Sequence, residues 1–198
     1  MSDPAHSQAG DGLGTTLLRA VPRILLSPRR FFRTGILPGE QAPGLLFAMG
    51  VVLVSETIRL VLVSDPLPVF GGSSVLSAAL WLSVVVLFVT PAALHLIAAL
   101  QTVLLIPVAN DRAGVSETVQ VLAYSSAPCL LAGVPIPELR VFVGAYATVL
   151  LLLGLSEVHG ISFERSLLVG SLPAALAFGY GFRTFDALTT LLARWYII

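Results

Sequence analysis

The sequence predicts an all-α protein: a polytopic membrane helix bundle with five transmembrane helices, the second long and kinked. Three observations predict it. Of 198 residues, 56% are hydrophobic and only 11% charged, with a mean hydropathy of +0.93. A soluble domain carries about a quarter charged residues, so water could not wet this surface. The apolar residues gather into runs, most of them near the ~20 residues a helix needs to cross ~30 Å of hydrocarbon. The charges fall mostly in the end segments and in short breaks between runs. They cancel at 11 against 11, which excludes the broad basic face of a nucleic-acid binder. All 11 positive residues are Arg, and the lone Cys129 allows neither an internal disulfide nor a thiolate metal cluster.

Residues 1–12 are polar, expected to be disordered, and lack the apolar stretch of a secretory signal. Residues 13–41 read as a cytoplasmic basic amphipathic segment. Leu17, Leu18, Val21, Ile24 and Leu25 share one helical face, Arg19 and Arg23 lie off it, and Pro22 weakens a continuous helix. Ser27 and Pro28 then read as N-cap and first-turn proline. They lead into Arg29, Arg30, Phe31, Phe32 and Arg33, a basic segment with interleaved aromatics suited to an anionic leaflet.

The membrane domain is expected over 42–183. Its first span, 42–63, is interrupted only by Ser55, Glu56, Thr57 and Arg59, and ends at the turn Ser64-Asp65-Pro66-Leu67-Pro68 with Gly71-Gly72. The second run, 74–108, would reach ~50 Å as a helix, too long for one perpendicular span. Either Pro91 divides it into two spans or one tilted, kinked helix projects beyond the bilayer. Val89-Thr90-Pro91-Ala92-Ala93 has no Gly, Asn or Asp to build a turn, and a proline bends a helix without reversing it. A single long helix is the expectation.

A polar break at Asn110-Asp111-Arg112-Ala113-Gly114 follows, with Ser116 expected as N-cap and Glu117 near the positive helix end. The third span, 118–134, is the most polar, with Gln120, Tyr124, Ser125, Ser126 and Pro128, so it belongs inside the bundle. Pro135 and Pro137 end it. The fourth and fifth spans, 139–155 and 166–182, flank a loop at Ser156-Glu157-Val158-His159-Gly160. Residues 184–198 are too short and too charged to span, and read as an interfacial tail anchored by Trp195 and Tyr196. With five spans, seven arginines fall on the N-terminal side and three on the other, which places the N-terminus in the cytoplasm and the C-terminus outside. In a prokaryote that membrane is the plasma membrane.

The arrangement resembles the Yip domain family, the Ypt/Rab-interacting membrane proteins, in its prokaryotic branch. Pro28-Arg29-Arg30-Phe31-Phe32 resembles the family's Pro-x-x-Phe-Phe before the first span. Ala123-Tyr124-Ser125-Ser126-Ala127-Pro128 resembles its Ala-Tyr-x-x-x-Pro in the third. The long second helix bearing His95, and Gly154-Leu155 followed by Val158-His159-Gly160-Ile161-Ser162 and Arg165, fall in the same order. Together they cover roughly Ser27 to Phe182. The Asp-Leu-Tyr-Gly-Pro motif and long polar N-terminal domain of eukaryotic members are absent. The resemblance implies a five-span Yip-type membrane protein and does not carry over Rab binding.

Candidate functional residues are few. Glu56 and Arg59, three apart on one helix, can pair. An ionisable residue left alone in lipid costs ~2.5 kcal/mol or more, which makes each a functional candidate. The alternative, favoured by Arg59 lying near the end of its run, is a self-neutralising pair with Arg59 snorkelling. His95 is either a proton or substrate contact or a structural donor to the third span. Tyr124, Ser125 and Ser126 either line a cavity or bond between helices. Arg29, Arg30, Phe31, Phe32 and Arg33 form a membrane anchor or a partner contact. Ser171, Ala175 and Gly179, four apart, form a small-residue stripe for packing within the chain or in a homo-oligomer.

No motif for hydrolysis, nucleotide binding or metal ligation occurs, so no catalytic residue, cofactor or metal is expected. The expected function is that of a non-enzymatic membrane organiser, adaptor or trafficking-like scaffold. Its partners would be lipids and proteins that the sequence does not name. A small transporter or channel using Glu56, His95 and the Tyr124–Ser126 face is the alternative.

Overall fold

The computed structural model describes residues 13–63, 73–109 and 112–197. Residues 1–12, residues 64–72 with the expected turn, Asn110, Asp111 and Ile198 lie outside these, as do the side chains of residues 13–18, including Leu17 and Leu18. Among the described residues all regular structure is helical, and three helices are long and apolar enough to cross a membrane.

Two helices precede the first of these. Helix α1 (Leu13–Leu26) runs through Pro22 as one helix, although Pro22 was expected to weaken it. Tertiary contacts offset the lost backbone bond: Ile24 is fully buried, and the Tyr146 hydroxyl donates to the Leu25 carbonyl. Helix α2 (Pro28–Thr34) starts where the Ser27-Pro28 pair predicts, although the Ser27 side chain makes no capping bond.

Helix α3 (Ala42–Leu62) is the first long apolar helix. The second, Ser74–Leu105, comprises α4 (Ser74–Val84), a π-helical turn (Val85–Val89) and α5 (Thr90–Leu105). It runs unbroken past Pro91. Proline has no N–H for the Leu87 carbonyl, and just before it the winding widens, with the Thr90 N–H reaching back to the Val85 carbonyl. Only 11% of this helix's most apolar window is buried, against 44% in α7, so it lies at the edge of the bundle.

The third run departs most from expectation. Gly114, not Ser116, is the N-cap of α6 (Val115–Ser125), because Gly114 is extended and the Ser116 hydroxyl is engaged by Gln41 instead. Past Ser126 the chain tightens into a 3-10 segment, Ala127–Leu131, with Pro128 in its first turn. Every residue from Thr118 to Cys129 is buried, making this the central element. A 3-10 segment rises ~2.0 Å per residue against ~1.5 Å for an α-helix, so residues 115–131 extend roughly 27 Å despite the short helix.

Helix α7 (Pro137–His159) is the third long apolar helix. It absorbs the expected loop at Ser156–His159; the chain stops at Gly160, which takes the left-handed φ of 62° that a helix C-terminus favours. Helix α8 (Phe163–Ala174) continues as a π-helix, Ala175–Gly181. Pro173 cannot donate to the Val169 carbonyl, and the fully buried Gln101 amide donates there instead, at 3.3 Å. This winding breaks the expected stripe. Ser171 is exposed, whereas Gly179 is covered by the Phe185 ring within the chain. The close approach of α8 to α7 is at Gly170, where an added Cβ would stand 2.7 Å from Leu152. The tail is helical over Thr184–Arg194 (α9), which packs on α7 and ties Arg194 to Glu138 at 2.7 Å.

Contacts fix the helix directions. Gln41 meets Ser116 and Ser55 meets Gly133, so α3 and the α6/3-10 element run in parallel. Glu56 meets Trp81 and Gln41 meets His95, so the α4–α5 helix runs opposite to α3. Thr118 meets His159 and Ala132 meets Arg140, which reverses α7 against α6. Val108 meets Arg165 and Gln101 meets Val169, which sets α8 against α5. The five elements alternate in direction and give the bundle a Gln41 end and an Arg59 end.

Candidate functional site

At the Gln41 end, aromatic contacts dock the basic segment. Phe32, 1% exposed, sits where Gly154 leaves room: a Cβ there would stand 3.0 Å from its ring. Phe31 meets Tyr124 edge-to-face at 5.0 Å, and Tyr124 meets Phe47 at 5.1 Å. Such pairs contribute about 0.5–1.5 kcal/mol each beyond their burial. The Phe-Phe pair and the Ala-Tyr-x-x-x-Pro stretch, 93 residues apart from Phe31 to Tyr124, are therefore neighbours in space.

Polar contacts complete this end. Arg33 Nε donates to Glu157 Oε2 at 2.7 Å, and Arg29 Nε lies 3.8 Å from Glu157 Oε1. Arg29, Arg30 and Arg33 all remain exposed. Buried Gln120 holds both backbone groups of Leu37, accepting from its N–H at 3.0 Å and donating to its carbonyl at 2.7 Å. Glu117 accepts from the Gly39 N–H at 2.9 Å. In the first turn of α8, hydrogen bonds from its own backbone N–H and from Ser162 hold the Glu164 carboxyl below the usual carboxylate range.

His95 belongs to this end. Its Nδ1 is 2.7 Å from the Pro91 carbonyl and its Nε2 is 3.0 Å from the Gln41 side-chain amide. Its partners are its own helix and the lead-in to α3, not the third span. Tyr124 is 6% exposed and sits in the aromatic cluster rather than on an open cavity. Ser125 and Ser126 bond back to the Val121 and Ala123 carbonyls at 2.7 and 2.6 Å; of the three, only Ser126 reaches the cavity described next.

The Arg59 end holds the other candidates. Glu56 Oε2 accepts from Arg59 Nη2 at 2.8 Å and Nε at 3.1 Å, and from Trp81 Nε1 at 3.3 Å. The pair borders a cavity of about 190 Å³ between α3, the α4–α5 helix, the end of α6, residues 132–133 after the 3-10 segment, and the π-helix 175–181. Arg140 and Arg183, which sequence reasoning treated only as topology markers, line it too. Trp81 and His95 lie 14 residues apart on one helix, about 21 Å, so Glu56 and His95 do not meet. Among the described residues no group of three His, Cys, Asp or Glu side chains gathers to hold a metal ion.

Glu157, Gln101, Arg140 and Arg183 were all missed as functional or anchoring residues. Glu157 carried a usable signal, since a carboxylate opposite an arginine pair at one membrane face invites pairing. The others carried none outside the folded context.

A sequence model of the Yip1 domain matches residues 23–182, which include the docked aromatics, the central element and all the long apolar helices. Neither a curated protein nor a solved structure matches the chain. The match covers most of the chain and holds the helices, aromatic contacts and polar ends described above: the protein is an integral membrane protein of the Yip1 domain family.

Proposed function

We propose that the chain crosses the bilayer five times, N-terminus in the cytoplasm and C-terminus outside, and acts as a non-enzymatic membrane organiser or adaptor. In a prokaryote it would do so in the plasma membrane. The alternating directions of α3, α4–α5, α6 with its 3-10 segment, α7, and α8 with its π-helix support the count, with the long second crossing bent near Pro91. One observation carries the functional reading. Helix α2 is fastened to the bundle by Phe31 and Phe32, yet keeps Arg29, Arg30 and Arg33 exposed. A fixed, positively charged platform at the cytoplasmic face suits recruitment of anionic lipid or of an acidic protein surface.

The transporter reading ranks second, because Glu56 and His95 lie toward opposite ends and do not form one polar path. The organiser reading is tested by R29Q/R30Q/R33Q in the full chain. An arginine near an anionic surface contributes about 1 kcal/mol, so the triple variant should lose most lipid and protein cross-links from a photoreactive residue at position 34. Its unfolding midpoint should barely move, because exposed ion pairs contribute about 1 kcal/mol at most. Unchanged cross-links of both kinds would count against the proposal.

A further inference from the structure

The cavity at the Arg59 end has no role in the reading above. Its walls are apolar along much of their length, including Val52, Val85, Val89 and Ile97. Among the described residues its charged border is formed by Arg59, Arg140, Arg183 and Glu56, with Asp186 acting on Arg140 from outside the lining. Glu56 already accepts from Arg59 and Trp81. Arg140 spends two of its five N–H donors on the Ala132 and Val134 carbonyls, at 2.9 and 3.4 Å. Among the described residues no carboxylate lies within ion-pair distance of Arg183.

Local backbone geometry marks the same place. Arg183 holds a left-handed φ of 57°, a conformation that is uncommon for a residue with a side chain. It sits where the π-helix gives way to α9, and a second π-turn, Val85–Val89, lines the opposite wall. Such π segments often occur at functional sites. Val89 and Leu176, on the two flanks, are both exposed and give an acyl chain a lateral way in.

We propose that this cavity binds one anionic phospholipid. Arg183 and Arg140 hold the phosphate, and the apolar wall takes the first carbons of a chain. Arginine suits this task because its planar fork matches phosphate oxygens two at a time. An anion there relieves the repulsion between the Arg140 and Arg183 guanidiniums. The site lies away from the α2 platform, so the two are separable.

Native mass spectrometry of the full chain in mild detergent, with phosphatidylglycerol and phosphatidylcholine as probes, tests it. One phosphatidylglycerol should be retained at least tenfold more strongly than phosphatidylcholine. R183Q and the cavity-filling A93F should each reduce that retention about tenfold, whereas G50A, away from the cavity lining, should keep it; R183K, which keeps the charge and loses the planar fork, should fall between. Equal retention of the two lipids would overturn the proposal, as would phosphatidylglycerol retention indifferent to both R183Q and A93F. Full displacement of the lipid by millimolar inorganic phosphate would overturn the lipid assignment in favour of a simple anion site. Circular dichroism of R183Q and A93F against R183K separates lost binding from lost fold.

Discussion

Phe32→Ala is expected to raise the amide hydrogen-exchange rates of residues 31–34 about a hundredfold while leaving α7 protected. Truncating a buried Phe costs about 3–5 kcal/mol, and each 1.4 kcal/mol is a tenfold change in an equilibrium. Phe32 is 1% exposed against Gly154, so its ring is the main wedge between α2 and the bundle. The Arg33–Glu157 ion pair is the competing explanation for docking. It is mostly solvent-exposed on the arginine side, at 67%, and an exposed pair contributes about 0.2–1 kcal/mol. Arg33→Gln should therefore raise the same exchange rates less than about fivefold. If Arg33→Gln had the larger effect, electrostatics rather than aromatic packing would hold the platform.

The second large effect is at Gly133. A Cβ there would overlap the Ser55 carbonyl oxygen and stand 2.9 Å from its carbon and 3.0 Å from the Arg59 nitrogen. These are backbone atoms of α3 and cannot rotate aside. Overpacking costs about 1–3 kcal/mol where side chains can adjust, so Gly133→Val should reach or exceed the top of that range, about 3 kcal/mol. It should lower the SDS-unfolding midpoint and push α3 away from the 3-10 segment, opening the arginine cavity. Gly50 is the control, in α3 with open space around it. Gly50→Ala should leave stability unchanged or raise it by up to about 1 kcal/mol, because Ala is the better helix former. Equal midpoints for Gly133→Val and the parent chain would mean the two elements do not touch as described.

The helices were legible because they follow from local quantities. Run length set α3, the absence of turn residues at Pro91 kept the second helix whole, and the amide and hydroxyls of α6 pointed to its interior place. The ends were less legible. Ser156–His159 looked like a loop because its residues are polar, yet the decisive stop is the left-handed Gly160, and Glu157 belongs to the last turns of α7. The π windings leave no mark in composition, and they undid the Ser171-Ala175-Gly179 spacing. The arginine cavity was invisible for another reason. Arg59, Arg140 and Arg183 are 81 and 43 residues apart; Arg59 reads as the partner of Glu56, whereas Arg140 and Arg183 sit at the flanks of apolar runs, where an arginine reads only as a topology marker. The reversal of α7 brings Arg140 to Arg59, and the end of the π-helix brings Arg183 to the same cavity.

The central claim is that the short element 115–131 carries the chain from one face of the membrane to the other. Single cysteines at Arg112 and Pro135, both exposed and flanking that element, test it most directly on a Cys129→Ala background. In intact cells a membrane-impermeant maleimide should label position 135 at once and position 112 only after permeabilisation. Labelling of both positions from the same side would contradict the five-span account.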